Sequence, residues 1–268
     1  MSKDIAVKDI ESVLEELAVS EQFTITLTDQ NSYTFRCLST SQFKRLVQTV
    51  VDSPLTQSIF NTTLSKIMKE CYVTGTDLAP RDANTFTVID RLIFCLSVRI
   101  LSLSPILHDS ATENEEHVID LESILKKVQA TSTKPDMQQL FAEQAFVNDT
   151  LTVTYAIPTL GIDLRLNEEL YKDQSVDIST PDQLRKIIGE AFINEIAKTI
   201  TAVKTKDSTL DFSSMNFKQR LKIVEKLPAQ FTQQVVKFIE NYKKPFDDCL
   251  VLSENKSLSI DGSLFSMR

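Results

Sequence analysis

Two histidines, His108 and His117, are the only imidazoles in the chain, and His117 sits in its densest run of acids. Residues 109–122 carry six carboxylates (Asp109, Glu113, Glu115, Glu116, Asp120 and Glu122) and no Lys or Arg. A histidine beside Glu115, Glu116 and Asp120 has donor atoms for a divalent cation. A solvated acidic loop has the same composition. The adjacent pairs Glu115-Glu116, Glu168-Glu169 and Asp247-Asp248 are sequence neighbours that do not face each other on a helix, so none makes a general acid–base dyad. No HExxH, GxSxG or Cys–His pairing in a recognisable setting occurs. Only four glycines are present (Gly75, Gly161, Gly189 and Gly262), where average usage would give about 19. Glycines this sparse build neither a GxGxxG nor a GxxxxGK[ST] phosphate loop. The sequence therefore assigns no catalytic residue, no cofactor-binding residue and no metal ligand, and it predicts a protein without a cofactor that is not an enzyme.

Basic residues cluster elsewhere. Between residues 216 and 244 there are seven (Lys218, Arg220, Lys222, Lys226, Lys237, Lys243 and Lys244) against Glu225 and Glu240. Such a run is either a solvated helix face or a surface that docks an acidic partner, the chain's own acidic segment included. Lys218, Arg220, Lys222, Lys226 and Lys237 are the candidate partner-binding residues. A membrane-surface role for these helices is disfavoured because their apolar stripes are of ordinary width and lack Trp. The whole chain is acidic, with 29 Lys+Arg against 37 Asp+Glu and a formal charge of −8, which argues against nucleic acid as the main partner. Asp90, Arg91 and Arg99 interrupt the most apolar segment. Charges there must be paired or reach its rim, which leaves an intramolecular ion pair or an Arg facing a partner subunit.

Hydrophobic residues make up 42% and charged residues 25% of the 268 positions, enough for a folded core in one large domain or two small ones. Cys37, Cys71, Cys95 and Cys249 are far apart with no CxxC, so free thiols and a reducing compartment are expected. The first residues, MSKDIAVKDIESVLEEL, are too acidic for a signal peptide. The run Leu92–Leu107, about 16 residues with Arg99 inside, is too short to span a bilayer. The sequence thus predicts a soluble, cytoplasmic protein with no membrane span.

The elements that must position these residues follow from hydrophobic period. Residues 4–18 predict an amphipathic helix with Ile5, Val13, Leu14 and Leu17 in its stripe. FTITLTDQNSYTFRCL alternates on both sides of Asp29-Gln30-Asn31, a hairpin pattern. Ser39–Ser41 supply N-caps for a helix reaching Val51, and Ser53-Pro54 opens another with Phe60, Leu64, Ile67, Met68 and Cys71 on one face. Asn84–Leu103 is apolar almost all round and predicts a buried helix ended by Pro105. A short helix around Leu121–Val128, a linker or loop at ATSTKPD and two strands around Pro158 in LTVTYAIPTLGIDLRL complete the middle. Thr180-Pro181-Asp182 starts a helix, Asn216–Leu227 and Ala229–Tyr242 are two more, and CLVLSENKSLSIDGSLF alternates as a closing hairpin or arm. The expected fold class is α+β, predominantly helical. Its expected parts are 1–108 (helical with a β-hairpin), 109–178 (an acidic segment and small β-containing subdomain) and 179–268 (helical with an extended tail).

Three segments carry a resemblance: TFRCLSTSQFKRLVQ leading to IMKECYVTGTDL; DRLIFCLSVRILSLSP, with Asp-Arg opening a buried helix that carries a second Arg; and FKQRLKIVEKLPAQFTQQVVKFIENYKK followed by SLSIDGSLF. In this order they resemble the baseplate hub subunit and hub-assembly proteins of T-even-like contractile-tailed bacteriophages, over about half of the chain. The resemblance implies a non-catalytic protein of the tail baseplate hub, a structural component or assembly chaperone. It would bind other hub or tail proteins in the host cytoplasm and possess no transferable site residues. Two other readings stay open: a cytoplasmic adaptor or regulatory protein unrelated to phage, and an enzyme with an acid-based metal site near His117. Oligomeric state is not specified by the sequence.

Overall fold

The computed structural model describes residues 21–50, 56–73, 81–109, 117–172, 181–254 and 256–266. The helix expected at 4–18 and the acidic residues 110–116 lie outside the described residues. The fold is predominantly helical α+β with small antiparallel sheets, as the hydrophobic periods predict. It divides into two compact units, one drawn from Met1–Ala83, Ile89–Gln129 and Val251–Arg268, the other from Asn84–Val88 and Ala130–Leu250.

In the first unit β1 (Gln22–Thr26) and β2 (Ser32–Arg36) pair antiparallel, with Phe23 opposite Phe35 and Ile25 opposite Tyr33. Their turn lacks glycine and places Gln30 at φ 65°. Asp29 makes this affordable in glycine's absence: its carboxylate accepts from Asn31 N at 3.1 Å and from the Tyr33 hydroxyl at 2.7 Å. Ser39 caps α1 (Thr40–Val47) in a reciprocal capping box with Gln42. In α2 (Thr56–Cys71) the stripe Phe60, Leu64, Ile67, Met68 and Cys71 is buried as its spacing requires. The apolar helix α3 (Val88–Ser102) is buried on nearly every side from Ile89 to Arg99, and Phe35 meets Phe94 and Tyr72 at 5.1 and 5.6 Å. Hairpin β3–β4 (Ile106–Asp109 and His117–Asp120) precedes α4 (Leu121–Ser132).

The second unit is built on an antiparallel sheet ordered β5-β6-β7-β8: Gln144–Val147, Thr152–Tyr155, Ile200–Lys204 and Thr209–Asp211. Around it stand α5 (Pro135–Phe141), α6 (Leu160–Lys172), α7 (Pro181–Thr199), α8 (Phe217–Val224) and α9 (Ala229–Cys249). Val153, Ile196, Val203, Phe212, Phe231 and Val235 meet in its core. The chain then returns to the first unit through hairpin β9–β10 (Val251–Ser253 and Lys256–Ser257) and a 3₁₀ turn, Gly262–Phe265. Phe265 lies 6.2 Å from Phe43 and 6.3 Å from Phe60.

Three expectations are corrected. Residues 109–178 are not a separate subdomain: the chain changes unit at Gln129/Ala130, and β5–β6 completes its sheet only with β7 and β8. The strand expected after Pro158 is α6 instead. Ile162, Leu164 and Leu166 alternate by two, but Leu160, Leu164 and Asn167 also recur at helical spacing, and the buried Asp163 and Asn167 disguised that face as polar. ATSTKPD, expected as a linker or loop, mostly ends α4 and opens α5 with Pro135 at the first turn, and only Thr133 and Lys134 lie between the two helices.

Candidate partner-binding surface

Asn216 caps α8 through a second capping box, with Gln219. The inner face of α8 carries Phe217, seated with Leu166 and Leu170 of α6, and Val224, which joins the core around Phe231. Glu169 of α6 accepts the Phe217 amide at 2.5 Å. Lys218 and Lys222, one turn apart, point outward and are exposed; Lys226 is exposed just past the helix end at Glu225. On α9 the buried face is Phe231, Val235, Phe238, Tyr242 and Phe246, with Lys237 exposed away from it. Phe238 meets Tyr155 at 5.0 Å, and Phe231 meets Phe146 at 5.0 Å, both edge-on.

Arg220, grouped by sequence with these lysines, does not belong to the surface. It is 1% exposed, donates to the carbonyls of Ala197 (2.7 Å) and Phe212, and rests 5.4 Å from the centre of the Phe212 ring. Burial first, and the neighbouring charge of Arg165 second, bring its pKa down to about 10. The helical period carried this signal: Arg220 falls three residues after Phe217 and four before Val224, on the apolar stripe, whereas Lys218 and Lys222 fall opposite. Farther along, Lys243 reaches Glu195 at 3.0 Å and Lys244 reaches Asp248 at 2.8 Å.

A buried polar network that the sequence did not reveal holds α6 against α7. Lys198 Nζ lies 2.8 Å from Asp163 and 2.7 Å from Glu195, with the Lys198 and Asp163 side chains 4% and 6% exposed. Asn167 donates to Asp163 at 3.3 Å, and Asn194 donates to Asn167 at 3.2 Å. Burial pushes the Glu195 carboxyl up, but the cations of Lys198 and Lys243 outweigh it and hold the pKa near about 2. Burial likewise opposes charge on Lys198, and Asp163 and Glu195 overcome it to raise its pKa.

The charges within α3 serve the fold. Asp90 accepts from Thr28 N and Oγ1 at 2.9 and 2.7 Å. Arg91 donates to Ser65 Oγ at 2.9 Å, and Arg99 donates to the carbonyls of Leu264 and Ser104. The two arginines are thus engaged within the chain, where the alternative had been contact with a partner subunit. Cys71 and Cys95 are buried free thiols, and burial pushes Cys95 up to about 12. His108 lines a groove of about 420 Å³ with Leu107, Ile119, Leu252 and Leu258. The side chain of His117, and with it the metal reading, lies outside the described residues. No described helix is long and apolar enough to cross a membrane. No protein-family model, curated protein or solved structure matches the chain.

Proposed function

We propose that this chain is a non-catalytic protein-binding component of a contractile phage tail, a baseplate hub subunit or hub-assembly chaperone acting in the host cytoplasm, and that it docks an acidic partner through Lys218, Lys222, Lys226 and Lys237. The observation that supports docking is the division of labour within α8. Phe217, Arg220 and Val224 seat the helix from below, so the outward lysines are presented on a fixed support. A preorganised row of like charge speeds and orients capture of an opposite charge. The phage setting rests on the sequence resemblance.

Reversing charge at Lys218, Lys222 and Lys226 together tests the surface. Capture of hub and tail proteins from infected lysate is expected to fall about tenfold or more at low salt and to lose its salt dependence. Unchanged capture at both low and high salt removes this surface. Quantitative mass spectrometry of purified virions beside the infected-cell lysate tests the setting. A fixed ratio to other baseplate proteins in both samples identifies a subunit, whereas presence in lysate alone identifies a chaperone. Absence from both overturns the phage reading in favour of a cellular adaptor.

A further inference from the structure

The first unit carries an open, mainly apolar groove of about 310 Å³ walled by β1, α3 and α4. Phe23, Ile100, Leu101 and Leu125 line it, with Glu122 and Lys126 of α4 at its edge. Leu101 is 55% exposed, and Ile100 and Leu125 are half-buried, so the groove holds apolar surface that the described residues leave in water. Glu122 and Lys126 lie 3.8 Å apart with side chains 53% and 78% exposed. A strand added along β1 fits this place poorly, because Gln129 Nε2 already donates to the Thr26 carbonyl at 3.3 Å. An apolar helix face fits the walls better.

The chain itself brings such a face to the groove. The described residues begin at Glu21, two positions before Phe23 in the groove wall. Upstream, Ile10, Val13, Leu14 and Leu17 recur at i, i+3, i+4 and i+7, the stripe of an amphipathic helix. The other positions are acidic, with Asp4, Asp9, Glu11, Glu15 and Glu16 against Lys8. A helix over residues 4–18 is about 22 Å long, and the six residues from Leu17 to Phe23 reach up to about 20 Å, enough for the stripe to fold back over α3 and α4. So short a tether gives an effective concentration on the order of millimolar, which any untethered partner would have to exceed. We propose that residues 4–18 dock as an amphipathic helix in this groove of their own chain, with the stripe on Leu101 and Leu125 and the flanking acids toward Lys126. This inference uses none of the lysines of α8 and α9 and does not depend on the phage setting.

The test is amide hydrogen exchange of the full chain at low salt, read over residues 4–18. A helix of this length is marginal in water by itself, so protection there reports docking. In the wild type those amides are expected to exchange at least about tenfold more slowly than an unstructured peptide, and Leu101→Asp is expected to remove most of that protection. Should Leu101→Asp fail to fold, two substitutions at exposed positions carry the test. Lys126→Glu and Glu122→Lys both break the same surface pair, but against an acidic helix they act in opposite directions. The first is expected to cut protection about two- to threefold and the second to raise it by a similar factor. Light scattering is expected to give a monomer under the same conditions. Unprotected amides in the wild type, protection that survives Leu101→Asp in a folded chain, or equal effects of the two charge reversals overturn the proposal. So does protection found only in a dimer, which would assign the groove to a second copy.

Discussion

Replacing Lys198 by Met removes the cation from a cluster in which Asp163 is 6% exposed and Lys198 itself 4%. The stem of methionine fills much of the lysine volume, so the loss is electrostatic. Asp163 keeps the hydrogen bond from Asn167 but becomes a buried carboxylate without its ion-pair partner. Breaking a buried pair from one side costs about 3–5 kcal/mol, which corresponds to a Tm roughly 10 °C lower for a chain of this size. The penalty has a pH signature. With the cation gone, burial raises the Asp163 pKa, so protonation relieves the stranded charge, and the deficit against wild type shrinks between pH 7 and pH 4.5. The double variant Asp163→Asn/Lys198→Met strands no charge and is expected to recover to within about 1–2 kcal/mol of wild type. Glu195 contributes with the opposite requirement. Its pKa of about 2 in the fold lies below its ordinary 4.5, so its stabilisation is present above pH 4.5 and fades as pH falls toward 2. Because that side chain is 39% exposed, solvent screening holds its contribution to about 1 kcal/mol. Urea unfolding of the three proteins at pH 7 and 4.5 measures the Lys198 effects, and carrying the wild type down to pH 2.5 reads the Glu195 contribution. A double variant as unstable as Lys198→Met, or a deficit of equal size at both pH values, refutes the stranded-charge reasoning.

Two further substitutions probe the backbone. A Cβ at Gly262 would stand 2.6 Å from Thr49 Oγ1 and 2.7 Å from the Leu46 carbonyl; because a backbone atom cannot swing aside, Gly262→Ala is expected to cost about 1–3 kcal/mol in urea unfolding. Pro245 lies inside α9 and offers no N–H to the helix ladder, so Pro245→Ala is expected to raise stability by about 1–3 kcal/mol, read as an upward Tm shift.

The sequence was legible wherever a local period determines the outcome. The alternation across residues 22–36, the cap at Ser39, the all-round apolar α3 and the stripe Phe231–Val235–Phe238–Tyr242 each need only neighbours in sequence to be read. Phe246 continues that last stripe, which is why α9 runs past Tyr242 to Cys249 despite Pro245. Illegible were features set by distant partners. β5 and β6 make their sheet with β7, about 50 residues onward in the chain, so no local window shows that 109–178 is not a subdomain. Asp163 and Asn167 are polar positions whose partners, Lys198 and Asn194, come from another helix, so no local window shows that this face of α6 is buried. Of the surface expected at 216–244, Lys218, Lys222, Lys226 and Lys237 are exposed, whereas Arg220 is enclosed.

The local excess of positive charge is therefore layered, and its two layers have separable consequences. Lys218 and Lys222 stand in solvent, where a single charge contributes little to folding and substitution changes stability by about 0.5 kcal/mol or less. Any function they have must appear in encounter with a partner and in its salt dependence. Arg220 is desolvated and donates to two main-chain carbonyls, so its replacement takes the side-chain donor from the carbonyls of Ala197, near the end of α7, and of Phe212, just after β8, and loosens the helix on which the lysines ride. Charge reversal of the lysines should leave the melting curve nearly in place while altering capture, whereas Arg220→Met should lower Tm markedly and weaken capture only in step with lost structure. If both changes lowered stability and capture in the same proportion, the lysines would be part of the scaffold rather than a surface presented by it.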